Sequence, residues 1–212
     1  MLATGVSSAL SALCSSGEAA AEEEYPLDSI SRTVPRHGPL KCPKVQLKIY
    51  RGEQLRYAQA ARIFVGLQPR LEAMERVALA VGKRIYGRAP RRLVHLGTYN
   101  CRRIGGYPTW LSEHALGNAI DVAGFDFPPL ARGAKLPAGV HRAFRAPFQV
   151  RVLRHWNKKT GPAALHARFL RAFAHAIIAR KDIFRVLLGP GYPGHWNHFH
   201  FDMAPFRNVE GF

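Results

Sequence analysis

Carboxylates are scarce in this chain: 14 Asp and Glu stand against 31 Lys and Arg, a formal charge of +17. Five of those acids (Glu18, Glu22, Glu23, Glu24 and Asp28) fall in the first thirty residues, which contain no Lys or Arg, so only nine remain for everything after. So thin a supply argues against a calcium cage, which takes about six to eight oxygen ligands. Three cysteines are too few for a disulfide-built miniprotein or an all-thiolate zinc site. No apolar run approaches the ~18 residues of a membrane span. Nucleotide-binding signatures are also missing. Gly189-Pro-Gly-Tyr-Pro-Gly194 matches GxGxxG in letters only, because its prolines remove N–H groups that would cradle a phosphate and the next segment reads as a strand. No P-loop, GxSxG elbow or HExxH helix occurs.

What remains is a compact, strongly basic protein. A length of 212 residues suits one domain, and 47% hydrophobic against 21% charged residues excludes wholesale disorder. Beyond residue 30 the net charge is +22, which favours polyanionic neighbours such as nucleic acid, anionic lipid or a wall polymer. Residues 1–30 read as a disordered tail or a degenerate export signal, outside the fold. Ala19-Ala-Ala21 has the small-x-small pattern of a cleavage site, but no positive charge precedes it. A domain is expected over 40–205, with a C-terminal tail at 206–212.

Periodicity then places the elements. Leu71, Met74, Ala78 and Val81 at helical spacing predict a helix from Gln68 to about Lys83. Strands are expected at Arg92–Tyr99, Ala119–Phe125, Phe148–Trp156, Ile183–Leu188 and Trp196–Met203, with a surface loop over 128–147. Pro162 opens a second helix whose Leu165, Phe169, Phe173 and Ile177 form one stripe. The fold class is α+β: a single domain with a small, mostly antiparallel sheet of largely hairpin-connected strands packed by helices.

Two segments carry chemistry: Ser112-Glu-His114-Ala-Leu-Gly117-Asn-Ala119-Ile-Asp121 and His195-Trp-Asn-His198-Phe-His200-Phe-Asp202. In the second, a strand period of two puts His198 and His200 on one face and Phe199 and Phe201 on the other. In the first, a histidine and an aspartate are separated by Gly117 and Ala119, which let the backbone turn and pack closely. Imidazole nitrogen and carboxylate oxygen are the donors that hold zinc. Any one of these residues alone reads as an ordinary hydrogen-bonded group, as do His37, His95, His141, His155, His166 and His175. Spacing leaves the ligand count open: four protein ligands make a closed structural site, three leave a corner for water.

The paired patterns SxHxxGxAxD and HxxHxH resemble those of the LAS metallopeptidases, the group of lysostaphin-type endopeptidases, D-alanyl-D-alanine metallopeptidases and the zinc domain of hedgehog proteins. More narrowly, Thr98–Arg102, Leu111–Phe125 and Gly194–Asp202 resemble the bacterial extensin-like C-terminal family, over roughly residues 40–205. That resemblance implies a hedgehog- or D-Ala-D-Ala-peptidase-like fold. It implies Zn2+ held by His114, Asp121 and His200, with His198 as proton acceptor beside the metal water and His195 assisting. Arg102, with Arg103 as an alternative, would stabilise the transition state; many relatives carry that arginine directly after the tyrosine, where this chain has Asn100. Ser112, Asn118 and Asp202 are candidates for orienting the imidazoles. The implied activity is zinc-dependent hydrolysis of peptidoglycan stem peptides or cross-links in the periplasm or cell envelope, with peptidoglycan or another anionic wall polymer as partner. The alternative is a non-catalytic zinc-containing binding module. A nucleic-acid role has only Arg151, Arg154 and Trp156 to suggest it. In an oxidising periplasm Cys42 and Cys101 can pair and pin the N-terminal segment against the site; otherwise they are reduced, packed thiols.

Overall fold

The computed structural model describes residues 24–212. The strands are β1 (Leu47–Tyr50), β2 (Arg56–Tyr57), β3 (Ala61–Phe64), β4 (Arg92–His95), β5 (Arg103–Ile104), β6 (Tyr107–Leu111), β7 (Ala119–Phe127), β8 (Phe148–Arg151), β9 (Val186–Leu188), β10 (Phe199–Asp202) and β11 (Asn208–Glu210). The helices are α1 (Gln68–Tyr86), α2 (Val152–His155) and α3 (Gly161–Ala179). The class is α+β, as expected. A seven-stranded sheet in the order β11-β9-β10-β7-β4-β2, with β8 also on β7, is joined by the two-stranded pairs β1-β3 and β5-β6.

Helix α1 starts on a proline in its first turn and buries Leu71, Met74, Ala78, Val81 and Ile85 on one face. It runs three residues past Lys83 because Ile85 and Tyr86 continue the apolar stripe, and Gly87 stops it with a left-handed φ of 71°. Helix α3 likewise opens on Gly161-Pro162 and buries Phe169, Phe173 and Ile177. Both helices cover one face of the sheet: Phe125 meets Phe169 and Phe173, Phe127 meets Tyr86, and Phe199 and Phe201 meet Phe173. The other face of the sheet is left for the site.

Strand β7 organises that division, and its irregularity explains why its sequence alternates poorly. Its pairing with β4 steps from Val94↔Gly124 to His95↔Val122, so Ala123 is the extra residue of a bulge. The bulge reverses the side-chain alternation. Asp121 points to the open face, while Phe125 and Phe127, which share its parity, point into the helical core. Gly124 permits the turn-over: at φ 154° a Cβ would sit 2.1 Å from the Val150 carbonyl oxygen. On the same edge of β7, β10 pairs with residues 119–122 and β8 with 124–127.

Several expectations need correction. Strand β4 ends at His95 instead of Tyr99: past the bulge the Leu96 N–H reaches the Asp121 carbonyl and the Asp121 N–H the Gly97 carbonyl, and the regular ladder stops there. Residues 152–156 are not strand; after Arg151 the chain turns into α2, with the Trp156 N–H bonded to the Val152 carbonyl. Arg151 is tied to Asp126 at 2.6 Å and Trp156 is buried, so no exposed basic-aromatic strand exists there. The main sheet is not built of tight hairpins, and its outer pairs β2-β4 and β9-β11 are parallel. The folded body also exceeds 40–205. Tyr25 and Leu27 are buried and Asp28 pairs with Arg185 at 2.6 Å, while Asn208–Glu210 forms β11 in the segment expected as tail. The rest of the expected 1–30 tail or export signal lies outside the described residues.

Candidate metal centre

Each chemical side chain is set by a local feature. Ser112 caps a short 3-10 helix, Glu113–Leu116, accepting the His114 N–H at 3.3 Å. Gly117 ends that helix at φ 62°, where a Cβ would lie 2.6 Å from Leu47 and 2.8 Å from the Phe64 nitrogen. The chain thereby enters β7 with His114 over Asp121. Strand β10 pairs antiparallel with β7 so that His200 lies directly opposite Asp121. The backbone turns ahead of β10, with the His198 N–H on the His195 carbonyl and the His195 N–H on the Tyr192 carbonyl. This brings the other two imidazoles to the same side.

Three donor atoms converge. His114 Nε2 is 3.2 Å from Asp121 Oδ1 and 3.2 Å from His200 Nδ1, and His200 Nδ1 is 2.9 Å from the same Asp121 oxygen. Among the described residues, His114, Asp121 and His200 form the one such group. The triangle suits a small cation: bonds of about 2.0–2.1 Å in tetrahedral geometry set ligand atoms roughly 3.3 Å apart. The residues present therefore fit zinc. His198 Nε2 is 3.4 Å from Asp121 Oδ1, yet His198 does not join the mutually close triad.

Electrostatics match that reading. Burial alone would raise the Asp121 carboxyl, but hydrogen bonds from His114 and His200 outweigh it and hold it well below the usual carboxylate range. Burial would lower His200, but Asp121 on one side and Asp202 on the other push it up to about 10. The cluster thus demands positive charge between its carboxylates. His200 donates from Nε2 to Asp202 at 2.7 Å, which leaves Nδ1 for the centre. Burial lowers both other imidazoles, His198 to about 4. His198 donates from Nδ1 to the Asn197 side-chain carbonyl at 2.7 Å, and His195 from Nδ1 to the Pro193 carbonyl at 3.0 Å. Both present an unprotonated Nε2.

The two arginines separate cleanly. Arg103 spends its guanidinium on the backbone carbonyls of Pro35, His37 and Gly38. Arg102 is exposed, has no carboxylate partner among the described residues, and lines a cleft of about 740 Å³ together with Asp121, His195, His198 and His200. Cys42 and Cys101 form a disulfide that anchors the chain immediately before Arg102. Of the three residues expected to orient the imidazoles, Asp202 bonds the His200 ring and Ser112 the His114 backbone N–H, whereas the Asn118 side chain bonds neither ring. The Asn118 amide donates to Glu113 at 2.6 Å and accepts from Tyr25 at 2.6 Å.

The geometry agrees with one comparison. The family described as extensin-like protein C-terminus matches residues 28–210. The chain belongs to that family. The match begins at Asp28, whose ion pair with Arg185 ties the N-terminal strap to this extensin-like domain. No curated protein and no solved structure matches the chain.

Two participants were not singled out from the sequence. Glu113, between Ser112 and His114, is a buried carboxylate paired with Arg32 at 2.7 Å; its place inside the motif, in a chain so poor in acids, was the available signal. Asn197 holds the His198 tautomer and had only its adjacency to offer.

Proposed function

We propose that this extensin-like domain is a zinc-dependent peptidase that hydrolyses peptide bonds in peptidoglycan stem peptides or cross-links. The observation that carries the reading is the convergence of His114, Asp121 and His200 into a three-cornered donor set whose Asp121 and His200 line an open cleft, with His198 beside them. The paired motifs, similar to those of the LAS metallopeptidases, supply the substrate class. A disulfide beside the site supports an oxidising compartment, the periplasm or envelope. No helix among the described residues is long and apolar enough to cross a membrane. The basic surface favours an anionic wall polymer nearby.

His114 Nε2, Asp121 Oδ1 and His200 Nδ1 would hold the metal. When bound, zinc supplies Lewis acidity, polarising a carbonyl and acidifying water. His198 is neutral at pH 7 because burial disfavours its charged form, so its Nε2 accepts the proton of the attacking water and returns it to the departing amine. His195, with its Nδ1 fixed on Pro193, offers a second Nε2 at the same opening. Arg102 lines the cleft with no carboxylate partner among the described residues and would meet the negative charge developing on the carbonyl oxygen.

The test is incubation of the zinc-loaded chain with purified muropeptides, read by mass spectrometry, alongside metal analysis. About one zinc per chain and mass-shifted fragments are expected, with metal lost in His114→Ala and turnover lost but metal kept in His198→Ala. Zinc uptake with no cleavage of any fragment would assign the non-catalytic module instead.

A further inference from the structure

The cleft extends well beyond the three donor residues. Beyond His200 its floor is the open face of β9, Leu188 and Val186, and then Asn208 on the edge strand β11. Its walls carry rings that the core does not use. Tyr107 and Trp110 rise from the β5-β6 hairpin, 56% and 46% exposed, and Phe206, 54% exposed, lines the same cleft. Apolar surface gathered in a concavity of this kind marks a ligand.

Four uncharged polar groups lie among these rings. They are the Asn208 amide, the Trp110 indole N–H and the phenols of Tyr107 and Tyr192. Burial raises the Tyr192 phenol, and the nearby Tyr107 phenol and Glu210 carboxylate add to the shift. Most charges of the lining are already paired, Arg32 with Glu113 and both Asp121 and Asp202 with His200, so that among the described residues Arg102 is the one cation of the lining without a carboxylate partner. A polyanion would leave the rings unused. An aliphatic side chain would leave the hydroxyls, amide and indole N–H unused. A pyranose ring uses both, with C–H faces against the aromatics and hydroxyls at their polar tips.

We propose that the cleft between the β5-β6 hairpin and Phe206 is a saccharide subsite, which takes a neutral sugar ring alongside the donor residues. The attachment of that sugar to a hydrolysed peptide rests on the peptidase reading; sugar binding itself requires no metal.

The full chain, zinc-loaded, and its Asp121→Ala variant are titrated with a β-1,4-linked N-acetylglucosamine tetramer, followed by tryptophan fluorescence and calorimetry. Saturable binding is expected in both. Trp110→Ala and Phe206→Ala each weaken it by about three- to tenfold with unchanged circular dichroism, and Trp110→Phe restores most of the loss. Leu153→Ala, on the separate small pocket, leaves binding unaltered. No saturable binding in either protein, or binding indifferent to Trp110→Ala and Phe206→Ala, overturns the subsite. Sugar binding without cleavage of any muropeptide would uphold the subsite and sink the peptidase reading. Cleavage without sugar binding, equal for sugar-bearing and sugar-free peptides, would do the reverse.

Discussion

Replacing Arg32 by alanine strands the Glu113 carboxylate one residue from a proposed ligand. The pair is bidentate, at 2.7 and 3.1 Å, and each side chain is only 6% exposed. Arg32 also donates to the carbonyls of Leu27 and Ile30, so it locks the N-terminal strap onto the 3-10 helix that bears His114. After its removal the Glu113 carboxylate keeps, among the described residues, only the Asn118 amide. Breaking a buried pair from one side costs about 3–5 kcal/mol, because the remaining charge is desolvated without compensation. For a chain of this size that is a fall in melting temperature of roughly 6–20 °C, at about 2–4 °C per kcal/mol. The double variant Arg32→Ala/Glu113→Gln, with Glu113→Gln as the other single, removes both charges and is expected to recover more than half of the loss. Urea denaturation of the four proteins of the cycle gives the coupling, and chelator competition gives zinc affinity, expected to fall in Arg32→Ala as the His114 turn loosens. An Arg32→Ala protein with wild-type midpoint and wild-type affinity would refute the reasoning.

Asp202→Asn weakens the partner that points His200 at the centre and should lower zinc affinity by about 10–100-fold; an unchanged competition titration would deny Asp202 that role. Cys42→Ser/Cys101→Ser opens a loop of 59 residues' separation and should lower unfolding free energy by about 2–4 kcal/mol; chemical denaturation of oxidised and variant protein measures it, and equal stabilities would contradict the tether. Burial holds His166 at about 4, against 6.5 for an ordinary histidine. Between those values the unfolded chain takes up a proton that the folded one refuses, so its contribution is complete above pH 6.5 and lost as pH falls toward 4, by at most about 3 kcal/mol. Melting temperatures of wild type and His166→Gln from pH 7 to 4 should converge on acidification; parallel profiles would count against it.

Much of the fold was legible because α1 and α3 obey a single period. Their apolar positions recur along one stripe, and a proline at the start and, for α1, a glycine at the end mark boundaries that need no partner. Strand ends were less legible. Nothing local distinguishes Val152 from a strand residue until the turn of α2 is held against α3 and the sheet. The strap from Tyr25 and the closing strand β11 look polar or irregular in sequence. They fold because a remote Arg185 and an existing β9 edge receive them.

At the site, the ligand-bearing residue types and the in-out alternation of Phe199, His200 and Phe201 follow from the chain alone, because a strand's period is local geometry. The bulge at Ala123 is not local: it turns Asp121 and Phe125, of equal parity, to opposite faces, and only the competing registers of β4, β8 and β10 on β7 decide it. The separation of Arg102 from Arg103 is of the same kind. Two adjacent arginines are equivalent as text, and one is taken out of play when carbonyls about 65–68 residues earlier in the chain come to meet it. Sequence states which donors exist; long-range packing states which of them share a centre, because distance through space is a property no neighbouring residue encodes.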